Sequence, residues 1–310
     1  MRARVLLVWW IACFLWSGAF LFIKLGLRDL PPFTFASLRL VIALLVIVPV
    51  SIVRGDWQSL SRRDAAVVGS AGVLLLGVNY GLVFWGTQFI ASGLVAILQS
   101  AQPVLALGFG SFIGSERVTI RKLLAVTAGV AGVTIIFGAE AHVTGRQSLI
   151  GSAAAFGGAV CVALSYVWIK TYARHVSGSA VTALQSLAGL VPLACLALMF
   201  EDARPFSSWS VAAWGSLLYL GVVASVIALW MNYWLLQRMD ASALLIMSVA
   251  EVPIAVTLGA IVFGERLPRG TLLGAAFIVA AVVAALGRKA RASSYGIGDR
   301  LDRRRIGRHG

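Results

Sequence analysis

Charged residues are scarce in this sequence, and acidic residues are the scarcest. Only 12% of the 310 residues are charged, with 12 Asp and Glu against 26 Lys and Arg, whereas 60% are hydrophobic. The mean hydropathy is +0.91, and a soluble domain carries about twice this charged fraction. The shortage of charge excludes an ordinary soluble domain and predicts a polytopic membrane protein that has lipid as part of its solvent.

Cysteine and histidine are also rare, with three of each. Cys13, Cys161 and Cys195 fall inside apolar runs without metal-ligand spacing, so we expect packing residues rather than disulfide partners. The histidines fall in predicted loops or the tail, and the HExxH, GxSxG and phosphate-loop patterns are absent from the sequence. We therefore predict no enzyme activity, no metal, no cofactor and no ATP coupling.

The net charge of +14 does not indicate nucleic acid binding. Eight of the 26 basic residues lie in 288–310, and most others flank apolar runs. No soluble domain is large enough to read a nucleic acid groove. We interpret 288–310 as a basic cytoplasmic tail, which either contacts anionic lipid headgroups or only fixes the orientation of the chain.

Apolar runs of membrane-spanning length occur ten times, since a hydrocarbon core about 30 Å thick needs roughly 20 residues per helix. The first run continues to Lys24 without a convincing small-residue cleavage site, so we expect a retained span rather than a signal peptide. The weakest boundary, TQFIA at 87–91, carries no charge, but an uncut 65–113 is too long for one span. The predicted spans are 5–27, 33–53, 65–87, 91–113, 120–139, 148–171, 179–200, 211–236, 241–263 and 270–287.

The distribution of Lys and Arg predicts the orientation in the membrane. With the N-terminus inside, the inner segments hold 19 basic residues and the outer segments hold six, with Arg39 inside a span. Basic residues concentrate on the cytoplasmic side. We expect a multi-pass protein of the inner membrane with both termini cytoplasmic.

The two halves of the chain repeat each other. ASGLVAILQSAQP at 91–103 is similar to ASALLIMSVAEVP at 241–253, at an offset of 150. Because each half has five spans, an odd number, the halves enter the membrane in opposite directions, as in many secondary transporters. The predicted fold is an all-α membrane protein with ten transmembrane helices in two inverted five-helix repeats, 5–139 and 148–287; chance similarity of apolar helices is the alternative. At an offset of 149, Gly110, Glu116, Arg117 and Gly138 match Gly259, Glu265, Arg266 and Gly287.

An ordered set of motifs resembles the EamA-type ten-helix carriers of the drug/metabolite transporter superfamily. The motifs are WSGAFLFIK at 16–24, PPFTFASLR at 31–39 and GSER at 114–117, with ALSYVWIK at 163–170 and GERL at 264–267 in the second half. The resemblance covers roughly residues 10–287. It implies a ten-helix bundle that exports, or sometimes imports, small metabolites. One departure is that Val252 separates Glu251 from Pro253, whereas the family pattern sets proline directly after the glutamate.

Glu251 is the only acid in the middle of a predicted span. Ser248, Ala255 and Gly259 share its helix face, so it is expected to face protein or water. It could carry protons, being neutral when shielded and ionised when water enters, or serve as counter-ion for a cationic substrate. The structural alternative is a protonated Glu251 bonded to a backbone carbonyl freed by Pro253.

Other polar or aromatic groups within the spans could line the same space. Gln99 and Gln102 form the matching stripe of the first half. Arg39 could neutralise Glu251 or hold a substrate carboxylate, although a side chain extended toward the outer headgroups is slightly favoured. Glu116 and Glu265 are expected to be helix caps or gate-edge ion pairs. The remaining candidates are Trp16, Asn79, Tyr80, Gln185 and Asn232.

Together these features predict a secondary carrier of small organic metabolites that works by alternating access, with protons as possible coupling ions. The direction, export, follows from the resemblance alone. The alternatives are an uncoupled facilitator, in which Glu251 is structural, and a membrane scaffold or sensor that transports nothing. No feature of the sequence predicts an oligomeric state or a specific substrate.

Overall fold

The structure is a computed structural model in which the described chain is helical, with short connections and no β-strand. This agrees with the predicted all-α class. The described residues are 2–55, 60–113, 120–143, 145–173, 175–202, 205–228, 231, 234–235 and 247–286.

Eleven helices occur in the described ranges, and a 3-10 turn at Phe206–Ser208 precedes the ninth. The predicted boundary at 87–91 is confirmed, because the chain turns between Thr87 and Ser92. The helices are α1 Arg2–Gly26, α2 Pro32–Val53, α3 Arg62–Thr87, α4 Ser92–Gln99, α5 Gln102–Phe112, α6 Ile120–Val143, α7 Arg146–Tyr172, α8 Gly178–Phe200, α9 Val211–Ile227, α10 Met247–Phe263 and α11 Arg269–Leu286.

Six helical stretches in the described residues are long and apolar enough to cross a membrane, and four shorter apolar helices accompany them. Large apolar side chains such as Leu45, Leu198 and Val211 are 71%, 87% and 90% exposed. So many exposed apolar groups are typical of a surface that lipid covers. The fold is therefore that of a membrane protein.

One apolar core joins the two halves of the chain. It contains Phe35, Phe84 and Leu98 from the first half together with Leu217 and Leu220 from the second. Glycine allows the closest helix contacts. A Cβ added at Gly132 of α6 would lie 2.7 Å from the carbonyl oxygen of Gly274 in α11, so these two backbones touch.

Proline acts differently at the two related positions Pro103 and Pro253. The predicted span 91–113 is not one regular helix, because α4 ends at Gln99 and α5 begins at Gln102. Pro103 has no N–H, so it cannot continue the hydrogen bonds of α4. Pro253 lies inside α10, which stays helical through it. The predicted span 91–113 is thus interrupted between α4 and α5, whereas α10 continues past Glu251 without interruption.

Two helices contain π-helical stretches, Val73–Val78 in α3 and Tyr219–Ile227 in α9. A π-helical turn adds a residue to the turn and rotates the side chains that follow. Neither stretch follows from the sequence pattern. Both lie next to the cavity described below.

Candidate functional site

A cavity of about 220 Å³ lies inside the bundle. Every described helix except α6 and α11 contributes to its wall. Most of the wall is apolar, and Trp16, Phe20, Tyr80 and Phe84 supply aromatic surface. A mostly apolar pocket with a few converging polar groups is the usual form of a small-molecule site.

Eight of the nine residues predicted from the sequence line this cavity. The ninth, Asn232, lies outside the described residues. The structure brings the other eight side chains to one cavity, and their roles stay predictions. The eight are Trp16, Arg39, Asn79, Tyr80, Gln99, Gln102, Gln185 and Glu251.

Glu251 lies in α10 and reaches the cavity beside Ser248. Its backbone oxygen accepts a hydrogen bond of 3.2 Å from the hydroxyl of Ser17, which ties α10 to α1. Its carboxyl group has no hydrogen-bond partner among the described residues, and so does not bond the Val249 carbonyl that Pro253 leaves without an amide. Among the described residues, no group therefore competes with a ligand or a proton for this carboxyl group.

Arg39 is buried, with 2% of its surface exposed. Its Nε donates to Ser225 Oγ at 2.9 Å, and its guanidinium carbon lies 4.4 Å from the centre of the Tyr80 ring. The expected extension toward the headgroups is therefore wrong, because the hydroxyl and the ring face hold the guanidinium inside the bundle. In the described part of the chain no carboxylate lies within 4.0 Å of it, so it does not neutralise Glu251.

Hydrogen bonds hold three amides of the cavity wall. Gln102 Nε2 donates to Gln99 Oε1, and Gln99 Nε2 donates to the carbonyl of Ala155 at 2.8 Å. Asn79 Nδ2 donates to the carbonyl of Leu75 at 3.1 Å. These bonds fix three of the amides, so they face the cavity without rearrangement when a ligand enters.

Three buried polar atoms of the wall have no hydrogen-bond partner in the described structure. They are Arg39 Nη2, Asn79 Oδ1 and Gln185 Nε2. An unpaired buried polar atom costs roughly 1–3 kcal/mol, more when charged. Three such atoms facing one cavity indicate a site that is completed by a ligand.

The π-helical stretches position two of the polar groups. Asn79 directly follows the π-helical stretch of α3, and Ser225 lies within that of α9, where its hydroxyl also bonds the Leu220 carbonyl. Sequence reasoning missed Ser225, because a π-helical turn breaks the regular helical period. It also missed Thr182 and Ser186, which line the cavity beside Gln185. Thr182 could have been found, because it lies three residues before Gln185 on the same helix face.

Glu265 closes one end of the bundle. Its carboxylate accepts hydrogen bonds from the Ser92 amide at 2.9 Å and the Ser92 hydroxyl at 2.8 Å, and Lys24 lies 4.0 Å away. Lys24 in turn donates to the carbonyl of Ile90. Glu265 is thus a helix cap, as expected, but it caps α4 from the other half of the chain. The corresponding Glu116 lies outside the described residues.

Two further carboxylates hold helix starts at this same end. Glu201 accepts from the amides of Phe33 and Thr34, both at 2.7 Å, at the beginning of α2. Asp29 accepts from the hydroxyl of Ser210, just before α9. Carboxylates at helix N-termini gain from the unpaired N–H groups and the helix dipole. Each of the three contacts joins one half of the chain to the other.

The chain matches the EamA-like transporter family twice, over residues 3–138 and 149–287. It is 25% identical to "Uncharacterized transporter YoaV" of Bacillus subtilis, covering 85% of this chain and 90% of that protein. It is 25% identical to "Probable amino-acid metabolite efflux pump" of Salmonella typhimurium, covering 86% and 89%.

The fold also occurs among solved structures. A crystal structure with 22% sequence identity superposes with a TM-score of 0.66, covering 94% of this chain and 99% of the other. That similarity concerns the fold alone.

Proposed function

We propose, from the premise that the chain belongs to the EamA-like transporter family within the drug/metabolite transporter superfamily and is a multi-pass membrane transporter, that it is a secondary carrier of small organic metabolites. In this proposal, access to the cavity alternates between the two membrane faces. The cavity is the main support for the proposal, because it joins the Glu251 carboxyl group, a buried guanidinium and amides within an apolar wall. The family and the named relatives are transporters, and we propose no enzyme activity for this chain.

We propose ten membrane spans in two inverted repeats, 5–139 and 148–287, followed by the basic tail 288–310. The two family matches, 3–138 and 149–287, support this division. The excess of Lys and Arg on one set of loops supports cytoplasmic termini in the inner membrane. In this orientation the end closed by Glu265 faces outward.

The outer contacts of Glu265, Glu201 and Asp29 would then hold the outer end shut. Alternating access requires these contacts to break when the outer end opens. Each carboxylate caps a helix of the opposite half, so rocking one half against the other would separate all three together. Hydrogen bonds of this kind are individually worth only a few kcal/mol, which a substrate or an ion can supply.

Glu251 is the proposed coupling residue. Its carboxyl group lies in the cavity with no described hydrogen-bond partner, so a change in water access would change whether it keeps its proton. A proton gradient would then drive the cycle. Efflux is the proposed direction, and the name of the Salmonella relative supports it.

A binding screen tests the transport proposal. The purified full-length protein in detergent is mixed with a panel of amino acids, amines, carboxylic acids and nucleosides, and its thermal unfolding is followed. A compound that raises the unfolding temperature is then tested for counterflow in liposomes that contain the protein. A carrier stabilised by a compound also exchanges it across the membrane. A scaffold or sensor without transport shows no counterflow for any compound.

A further inference from the structure

Arg39 is the one described cation that lines the cavity, and nothing in the described structure neutralises it. A buried charge without a partner is strongly destabilising, because the group loses its hydration and gains no compensating interaction. Three contacts offset this cost in part: the hydrogen bond to Ser225, the face of the Tyr80 ring and, at 6.0 Å, the ring of Phe84. None of these groups carries a full negative charge.

The contacts with Ser225 and Tyr80 also fix which part of the guanidinium is available. Nε is used by Ser225, and the Tyr80 ring covers one face of the group. Nη2 is left without a partner. A guanidinium held in this way offers in-plane N–H donors to an acceptor that enters the cavity, and a planar group with two oxygens matches this arrangement best.

The unpaired amide atoms favour the same kind of ligand. Gln185 Nε2 is a second free donor, and Asn79 Oδ1 is a free acceptor. Two unused donors, one of them charged, call for an acidic group. The free acceptor and Glu251 suit an additional N–H donor on the ligand. The apolar remainder of the wall suits a hydrocarbon side chain.

We propose that Arg39 is the anchor for a carboxylate of the transported molecule, so that the cavity selects small carboxylic acids with an apolar body, with or without an amino group. This inference rests on the proposed transport through the cavity. A phosphate monoester would carry about two negative charges against a single guanidinium with Glu251 in the same cavity, so a carboxylate is favoured.

Matched ligands test the proposal on the unmodified protein. The probes are leucine, 4-methylpentanoate, 4-methylpentanamide, 3-methylbutylamine and 3-methylbutyl phosphate, together with the corresponding set built on a phenyl group. Dissociation constants are measured by calorimetry on the full-length protein in detergent. The best carboxylate of each set should bind at least about tenfold more tightly than the amide and the amine that lack its charge.

Variants of Arg39 provide the second measurement. Arg39→Gln should reduce carboxylate affinity to that of the amide. Arg39→Lys should keep part of the carboxylate affinity, because lysine has the positive charge but lacks the paired, planar N–H donors of the guanidinium. Arg28→Gln is the control, since Arg28 is exposed and stacks 5.0 Å from the Phe263 ring away from the cavity. It should leave every dissociation constant unchanged.

Three results would overturn the proposal. The first is that the amine or the amide binds as tightly as the matched carboxylate, or more tightly. The second is that the phosphate ester binds more tightly than the carboxylate. The third is that no carboxylate of either set binds. The transport proposal would survive all three if another class of compound showed counterflow, so the two failures are distinguishable.

Discussion

The carboxylate of Glu265 accepts hydrogen bonds from the backbone amide and the hydroxyl of Ser92, at 2.9 and 2.8 Å. The two residues lie 173 positions apart in the chain. The contact is possible because Gly264 takes a φ of 65° and turns the chain back at the end of α10. This contact closes the end of the bundle at which α4 begins. In the proposed alternating-access cycle, this contact stabilises the conformer that is closed at this end and must break when this end opens.

Loss of this cap should open the outer end. In a background without the three native cysteines, Ser186→Cys places a thiol in the cavity. Glu265→Ala should make that thiol react several-fold faster with a membrane-impermeant maleimide added from outside, because α4 loses its cap. The measurement is the labelling rate in intact cells.

Asp202→Ala is the control for that experiment, since Asp202 is an exposed acid at the same end of the bundle. It should leave the labelling rate at the level of the background. An equal rate in Glu265→Ala and the background would show that the cap does not hold the outer end.

Two adjacent glycines give a matched test of the cavity wall. A Cβ at Gly158 would lie 2.6 Å from Asn79 Oδ1 and 3.1 Å from Gln99 Nε2, whereas a Cβ at Gly157 would meet only Leu82 at an ordinary 3.4 Å. Gly158→Ala should therefore displace both amides and weaken ligand binding several-fold, while Gly157→Ala should not. Calorimetry with the tightest ligand of the screen measures the difference. Equal affinities in the two variants would contradict the role of these amides.

The ring of Tyr80 should matter more than its hydroxyl. Tyr80→Phe keeps a ring face under the guanidinium of Arg39, whereas Tyr80→Leu removes it and with it roughly 0.5–2 kcal/mol of cation–π attraction. Carboxylate binding should be nearly unchanged in Tyr80→Phe and reduced several-fold in Tyr80→Leu. A larger loss in Tyr80→Phe would mean that the hydroxyl, rather than the ring, contacts the ligand.

Gly264 should be sensitive to any side chain. Its positive φ is a conformation that L-residues other than Gly adopt at a cost of about 1 kcal/mol, so Gly264→Ala should lower the thermal unfolding temperature in detergent. Gly215→Ala is the control, because a Cβ there meets nothing within 4 Å and the site is helical. That variant should be neutral or slightly more stable. The reverse order of the two unfolding temperatures would contradict the assigned turn.

Local sequence patterns predicted much of this site. Apolar run length located most of the described helices. The helix period around Glu251, Gln99 and Gln102 identified side chains that do line one cavity. These predictions succeed because a polar group within an apolar run is costly unless it faces protein or water.

The predictions failed where contacts between residues far apart in the sequence determine the position of a side chain. Arg39 was expected to extend outward because its depth in α2 permits that, but Ser225 and Tyr80 hold it inside. Ser225 itself was missed because the π-helical stretch of α9 changes the period. The helix that Glu265 caps could not be predicted either, because the partner lies in the other half of the chain.

Proton-driven flux in liposomes tests the central claim most directly. Wild-type protein and Glu251→Gln are reconstituted at equal density, and substrate movement is measured with and without an imposed pH gradient. We predict that the gradient drives accumulation by the wild type, whereas Glu251→Gln equilibrates substrate but does not respond to the gradient. An unchanged gradient response in Glu251→Gln would contradict the assignment of Glu251 as the coupling residue.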